Sequence, residues 1–253
     1  MSDTLSKWIN PEYLTDSRAR DIRESVLAKP GAAYAVLDGF FREEALSELI
    51  EQHKKLEFSE ELDRRAHGTG ELLPYDGSVV FANKGHVGAD LFFDDEWHEY
   101  LAYISGCRLK VPASTEIKLR WHKPNADGFW IHTDSTIRTM VAITYFNKDW
   151  VFADGGLLQL WKAEPAMDPR AFHVEAPKGR LDFLNHHRKI RTSTPGGGFP
   201  DGKPKDLVLI DQIVPAYNRL FVCNYQDDPA YHSVTPSNGK ARTGVVQWIG
   251  HKI

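Results

Sequence analysis

From Ser114 onward the chain changes its rhythm from three-to-four to two. STEIKLRWH, at positions 114–122, sets Ile117, Leu119 and Trp121 against Lys118, Arg120 and His122, the alternation of a half-buried strand. TMVAITYFN, GGLLQLW, RLFVCNY and RTGVVQWI follow. Each is short, rich in β-branched and aromatic residues, and bounded by Gly, Pro, Asn or Asp. One such boundary is the turn holding Asp149, Asp154 and Gly155. Many short strands of this kind predict a barrel or sandwich.

The first hundred residues mix helices and strands. Asp16 to Ala28 has helical character, with Thr15 or Asp16 as N-cap and Pro30-Gly31 as the stop. Tyr34 to Asp38 reads as a short buried strand. In FFREEALSELIEQHKK, Ala45, Leu46, Leu49 and Ile50 recur at helical spacing behind an acidic first turn. Residues 71–84 read as turn-rich, and Asp94 to Ile104 as another amphipathic helix. The expected fold is mostly β with flanking helices (α+β), built on a double-stranded β-helix (jelly-roll, cupin-like) core. We expect one domain over 1–253, with 1–112 as helix and strand support and 113–253 as the core.

Lys162 to Asp206 breaks the pattern. It is a long stretch of weak periodicity, which suggests either function or disorder. Its part from Lys178 to Lys205 carries seven Lys/Arg against two Asp, leaving the rest of a −4 chain near −9. The simple reading of this basic insert is a solvated face. The sharper one is a lid in which Arg188, Lys189 and Arg191 neutralise an anionic substrate, with Arg64-Arg65 as further candidates.

Composition narrows the class. Hydrophobic residues make up 42 % and charged residues 26 % of 253, enough to bury a core. A net charge of −4 offers no general attraction to a nucleic-acid polymer or a membrane. No run approaches the roughly 20 apolar residues of a membrane span, and the N-terminus lacks a secretory pattern. Two cysteines, Cys107 and Cys223, sit in apolar segments as small core residues. A disulfide framework is therefore not expected, and a reducing cytoplasm is. Sequence says nothing about oligomeric state.

Eleven histidines offer many metal ligands. Two His-x-acid triplets occur, His132-Thr-Asp134 and His173-Val-Glu175, and chance supplies such triplets easily. Context favours the first. On a strand, residues two apart share a face, so His132 and Asp134 can reach one ion. His232, in Tyr231-His-Ser-Val between two clear strands, would complete a two-His, one-carboxylate triad with open positions for a cosubstrate and O2. His173 and Glu175 lie inside the irregular insert, where the bland reading is a solvated loop. Ten residues past His232, Arg242 opens an otherwise apolar strand. Its permanent charge would be costly to bury without an anion, and a carboxylate suits its fork.

These runs resemble the prolyl-4-hydroxylase-like branch of the 2-oxoglutarate/Fe(II) dioxygenases. The resemblance is carried by IHTDSTIRTMVAITYFNKDW, DGGLLQLW and PAYNRLFVCNY, then by HSVTPSNGKARTGVVQWI, over about 117–249 with the insert outside it. VLDGFFREEALSEL resembles the opening often seen in the family. The resemblance implies Fe(II) held by His132, Asp134 and His232. It also implies 2-oxoglutarate and O2 as cosubstrates, with Arg242 on the distal carboxylate. The family often has a tyrosine about nine residues before the first iron histidine. His122 takes that place with a one-residue offset, as a weaker second cosubstrate contact. A carboxylate at Asp134 favours hydroxylation over halogenation. The expected substrate is an amino acid, a peptidyl residue or a small natural product. A phosphorylated or nucleotide-like molecule is the alternative, and a cosubstrate-free or non-catalytic cupin-like metal-binding protein is the rival of another class.

Other residues admit simpler readings. Lys118, Arg120 and His122 share a strand face that either lines the pocket or, more simply, is the wet outside of the barrel. Arg138 either pairs with an acid or approaches the site. Trp248, Phe221 and Leu158 read as core.

Overall fold

A computed structural model describes residues 3–29, 31–57, 59–63, 73–81, 90–126, 128–132, 134, 138–163, 207–228 and 230–251. The readings placed on Arg64, Arg65, His173, Glu175, Arg188, Lys189 and Arg191 lie outside the described residues.

The described residues hold four α-helices: α1 (Asp3–Trp8), α2 (Asp16–Leu27), α3 (Glu43–His53) and α4 (Asp95–Ser105). Two of the longer ones, α2 and α4, begin at a capping side chain. Thr15 Oγ1 accepts the Arg18 amide at the start of α2, and Asp94 Oδ1 accepts the Glu96 and Trp97 amides at the start of α4. Helix α4 ends at Gly106, φ 69°, the left-handed conformation that glycine adopts at least cost.

Eleven strands among the described residues form two antiparallel sheets. They are β1 (Ala33–Asp38), β2 (Ser59–Asp63), β3 (Leu73–Phe81), β4 (Thr115–His122), β5 (Phe129–His132), β6 (Arg138–Tyr145), β7 (Leu158–Ala163), β8 (Leu207–Ile213), β9 (Arg219–Asn224), β10 (Tyr231–Val234) and β11 (Arg242–His251). The larger sheet runs β1-β9-β6-β11-β4-β3-β2 and the smaller β5-β10-β7-β8.

The period of two sorts the larger sheet into two faces. Ile117, Leu119, Met140, Ala142, Leu220, Val222, Val245 and Ile249 pack against Ile22, Leu46, Trp97, Leu101 and other helix residues. The alternate residues Tyr34, Val141, Phe221 and Cys223 turn the other way and pack against Leu158, Leu160 and Ile213 of the smaller sheet. The order is thus helices, large sheet, small sheet, with a jelly-roll interior between the sheets. No helix among the described residues is long and apolar enough to cross a membrane.

Two sequence readings need correction. Residues 71–84 contain β3 rather than only turns, and Leu207–Ile213 is a strand that the pattern did not single out. Asp76, Gly77 and Ser78 lower the strand propensity of β3, yet its ladders with β2 and β4 override that weak local preference. β8 lies directly after the basic insert, whose irregularity hid where alternation resumes.

Candidate active site

The smaller sheet brings the expected ligand positions together. β5 pairs with β10 so that His132 lies directly opposite His232. Opposite positions of an antiparallel pair lie on the same face of the sheet, with Cα atoms about 5 Å apart. Two residues beyond His132, the Asp134 carboxylate Oδ2 stands 3.8 Å from His232 Nε2.

The tautomer of a neutral His232 is decided by its neighbour. Its Nδ1 lies 3.0 Å from the Ala230 carbonyl oxygen, which can only accept, so Nδ1 carries a hydrogen. In the neutral ring Nε2 then holds the lone pair, 3.8 Å from the carboxylate oxygen. The gap is too long for a hydrogen bond. Two electron-pair donors at such a distance are held together by a cation between them, a proton or a metal ion. The arrangement fits a metal: a histidine whose second nitrogen is tied to a carbonyl is the usual form of a metal-ligating imidazole. Among the described side chains no group of three His, Cys, Asp or Glu converges on one point, and His132 enters through its backbone register.

The carboxylate is itself oriented. Trp248 Nε1 donates to Asp134 Oδ2 at 2.9 Å. Tyr225 stacks parallel to the His232 ring, with centroids 6.3 Å apart and planes 8° apart. Burial pushes the Tyr225 hydroxyl well above its ordinary pKa, with the Asp134 charge adding to the shift, so it remains a neutral phenol.

Arg242 begins β11, opposite His122 of β4. Its guanidinium donates to the Gly156 carbonyl at 3.1 Å. Gly156 has φ +63°, and a Cβ there would stand 3.2 Å from the Trp150 ring, so any other residue would be strained in the backbone and would crowd that ring. His122 is buried. Burial, with Arg242 and Arg120 adding repulsion, drives its pKa well below the usual histidine value, so its imidazole is neutral. Tyr145, opposite Gly244 on β6, is fully enclosed. Burial raises its hydroxyl to about 12, and the nearby Arg242 charge works against that rise.

The third component is cationic. In the β4–β11 register Glu116, Lys118, Arg120 and His122 face Trp248, Val246, Gly244 and Arg242 in turn, and Val246 and Trp248 border the interior cluster. The simpler reading of Lys118, Arg120 and His122 as a wet outer face is therefore wrong. Ile117 and Leu119 take the helix side, so their alternate neighbours turn inward. Arg138 satisfies both of its readings: it pairs with Glu116 and lies over the Trp248 ring at 5.8 Å. Leu158 and Phe221 are core, and both cysteines are buried and outside any disulfide.

No family model matches the sequence, and no curated protein matches it either. The fold, by contrast, has many counterparts. A Pseudomonas putida prolyl-4-hydroxylase superposes with a TM-score of 0.53 over 93 % of this chain and 100 % of that one, at 13 % identity. A Trichoplax adhaerens prolyl hydroxylase in complex with a hypoxia inducible factor peptide fragment gives 0.55 over 95 % and 93 %, at 14 % identity. HygX from Streptomyces hygroscopicus, with nickel, 2-oxoglutarate and hygromycin B bound, gives 0.55 over 90 % and 86 %, at 10 % identity. The fold is that of the 2-oxoglutarate/Fe(II) oxygenases.

Against this fold, sequence reasoning missed two residues. Trp248 read as core, the usual role of an aromatic in a strand, and Tyr145 was not singled out. The signal for Trp248 was its even spacing from Arg242 along one strand: positions 242, 244, 246 and 248 share a face. No comparable signal marks Tyr145.

Proposed function

We propose that this chain is an Fe(II)- and 2-oxoglutarate-dependent oxygenase that hydroxylates an unactivated C–H bond of an amino acid, a peptidyl residue or a small natural product, releasing succinate and CO2. The observation that carries the reading is the juxtaposition of His132 opposite His232 in the β5–β10 ladder with the Asp134 carboxylate 3.8 Å from His232 Nε2. The bound nickel and 2-oxoglutarate of HygX, on the same fold, support it.

His132, Asp134 and His232 would hold the iron, a two-His, one-carboxylate set that leaves positions open on one side. When bound, ferrous iron chelated by 2-oxoglutarate supplies O2 activation coupled to oxidative decarboxylation. The protein's own part is placement. The Ala230 carbonyl holds the Nδ1 hydrogen of His232, which keeps Nε2 as the donor atom. Trp248 fixes one carboxylate oxygen of Asp134 and so orients the other. Arg242 binds the distal carboxylate of 2-oxoglutarate. Its position is set by the Gly156 carbonyl, and Tyr145 stands near as a neutral hydroxyl donor. His122, opposite Arg242 and neutral, adds no competing charge. The apolar interior formed by Val141, Leu158, Leu160 and Phe221 keeps bulk water from the reacting centre. We take the chain as one oxygenase domain acting in a reducing cytoplasm, where ferrous iron persists.

Anaerobic titration with Fe(II) and 2-oxoglutarate tests the reading. A weak visible charge-transfer band is expected in the native protein and its loss in Asp134→Ala and His232→Ala, with succinate formed only by the native chain on admitting air. No band and no succinate from the native chain would refute the proposal.

A further inference from the structure

Three basic side chains gather on one indole. Lys118 Nζ lies 5.2 Å from the centre of the Trp248 ring, Arg120 Cζ 5.6 Å and Arg138 Cζ 5.8 Å. That indole is the one whose Nε1 donates to Asp134. The cations thus share the indole that touches the proposed ligand Asp134, on the inward side of the larger sheet. They come from two strands that are not neighbours in the sheet: Lys118 and Arg120 from β4, Arg138 from β6, with β11 between them. Glu116 pairs with Arg138 and, at 3.8 Å, with Lys118. One carboxylate is thus shared between two cations.

Concentrating like charge in a half-buried space costs free energy through both repulsion and desolvation. A solvated surface would spread these side chains apart, whereas here the sheet register and the ring hold them in one place. The side chains of Lys118 and Arg138 are only 19 % and 11 % exposed, so an anion reaching them would be little screened by solvent. Arg242, the cation assigned to 2-oxoglutarate, stands six residues before Trp248 on β11, and Arg120 lies between them opposite Gly244. The cluster is centred on the side of Asp134 that Trp248 covers.

We propose that Lys118, Arg120 and Arg138 form the substrate subsite, and that the substrate carries a carboxylate or phosphate group that docks beside Trp248 while its oxidised carbon faces the metal. This deepens the oxygenase reading and rests on it for the identity of the reaction, though not for the anion site itself. The planar guanidiniums can grip either anion in a bidentate manner, and the ammonium adds a point charge. A neutral or cationic substrate would meet the same cluster at an electrostatic penalty. Peptidyl substrates are admitted only with an acidic residue near the modified one.

The test uses the full chain, anaerobic and loaded with Fe(II) and saturating 2-oxoglutarate, so that Arg242 is engaged. Inorganic phosphate and malonate are the two probes, titrated at constant ionic strength against chloride, with quenching of tryptophan fluorescence and perturbation of the charge-transfer band as readouts. Saturable binding of at least one probe is expected, and which one binds more tightly tells phosphate from carboxylate. Lys118→Gln and Arg120→Gln should each weaken it about tenfold, the size of one charge-assisted contact, with the 2-oxoglutarate band retained as proof of an intact pocket. Glu116→Gln, which removes the carboxylate that Lys118 and Arg138 both contact, should tighten it several-fold, a gain that a structural role would not produce. Absence of saturable binding of both probes to the native chain, or equal binding in the two Gln variants, overturns the subsite. Loss of the 2-oxoglutarate band in the native chain instead overturns the oxygenase reading, and probe binding still decides the anion site separately.

Discussion

The two faces of strand β11 are built from adjacent residues and do opposite work. On the helix side, Thr243, Val245, Gln247 and Ile249 join the main core, and the one strongly polar member is enclosed by neutral partners. Gln247 accepts from Trp97 Nε1 at 2.9 Å and donates to the Phe92 carbonyl at 2.6 Å and to Thr115 Oγ1 at 2.9 Å. On the interior side, Arg242, Gly244, Val246 and Trp248 face a guanidinium pocket, a carboxylate and a row of cations. A fully satisfied neutral network stabilises and specifies a core. A charged lining costs stability unless something binds to it. The period of two thus lets one strand separate folding from chemistry, with no residue required to serve both.

The sharpest way to break this comparison is a pair of substitutions on opposite faces. Arg242→Ala removes a charge from the interior and should raise the KM for 2-oxoglutarate about 100-fold, the cost of truncating one side of a buried charge pair, while the unfolding midpoint barely moves. Gln247→Ala strands Trp97 Nε1 and should cost about 2 kcal/mol of stability, with KM unchanged. If both variants lose stability and affinity together, the faces are not independent.

Acid tests the helix side next. His53 is buried edge-on against Phe146, with centroids 5.3 Å apart, and burial depresses its pKa to about 4. His98, against the Phe92 carbonyl, is also depressed by burial. An unfolded histidine titrates near 6.5, so between that pH and the folded value the unfolded chain binds more protons. Stability should be level above about pH 7 and fall as the pH drops from 6.5 towards 4, with His53 contributing about 3 kcal/mol of the fall. Urea midpoints across this range should show a shallower decline for His53→Phe. An unchanged slope would place the proton uptake elsewhere.

The smallest expected effect is on the seam between the faces. Trp248→Phe keeps an aromatic ring but removes the Nε1 donor to Asp134. Loss of such an outer contact costs roughly tenfold in metal affinity or activity, about 1.4 kcal/mol, measurable as a weaker Fe(II) titration endpoint with normal thermal unfolding.

How much of this was legible in the sequence depended on whether local pattern or register carried the information. β4 and β11 were legible because strict alternation survives in STEIKLRWH and RTGVVQWI. β3 was not, because Asp76-Gly77-Ser78 reads as a turn and only its neighbours make it a strand. Of the site, His132, Asp134, His232 and Arg242 stood out as residue types at telling spacings. Which way β4 faced could not be read from alternation, since period two gives two faces and does not say which is inside. That choice needs the helices on Ile117 and Leu119, and it moved Lys118, Arg120 and His122 from the outside of the barrel to its lining. Trp248 and Tyr145 stayed hidden for the same reason: an aromatic in a strand looks identical whether it fills space or touches a working group.

The pairing of His132 with His232 has a mechanical consequence. β5 is four residues long, ends the smaller sheet, and has β10 as its neighbour there, through a ladder with a register irregularity. With iron held as proposed, the ion rivets this short strand to the body of the sheet across the ladder. An iron-starved chain would keep its fold but loosen that hem, leaving backbone donors and acceptors ready to pair with another molecule. Keeping the proposed site loaded would then bear on solubility as well as on activity.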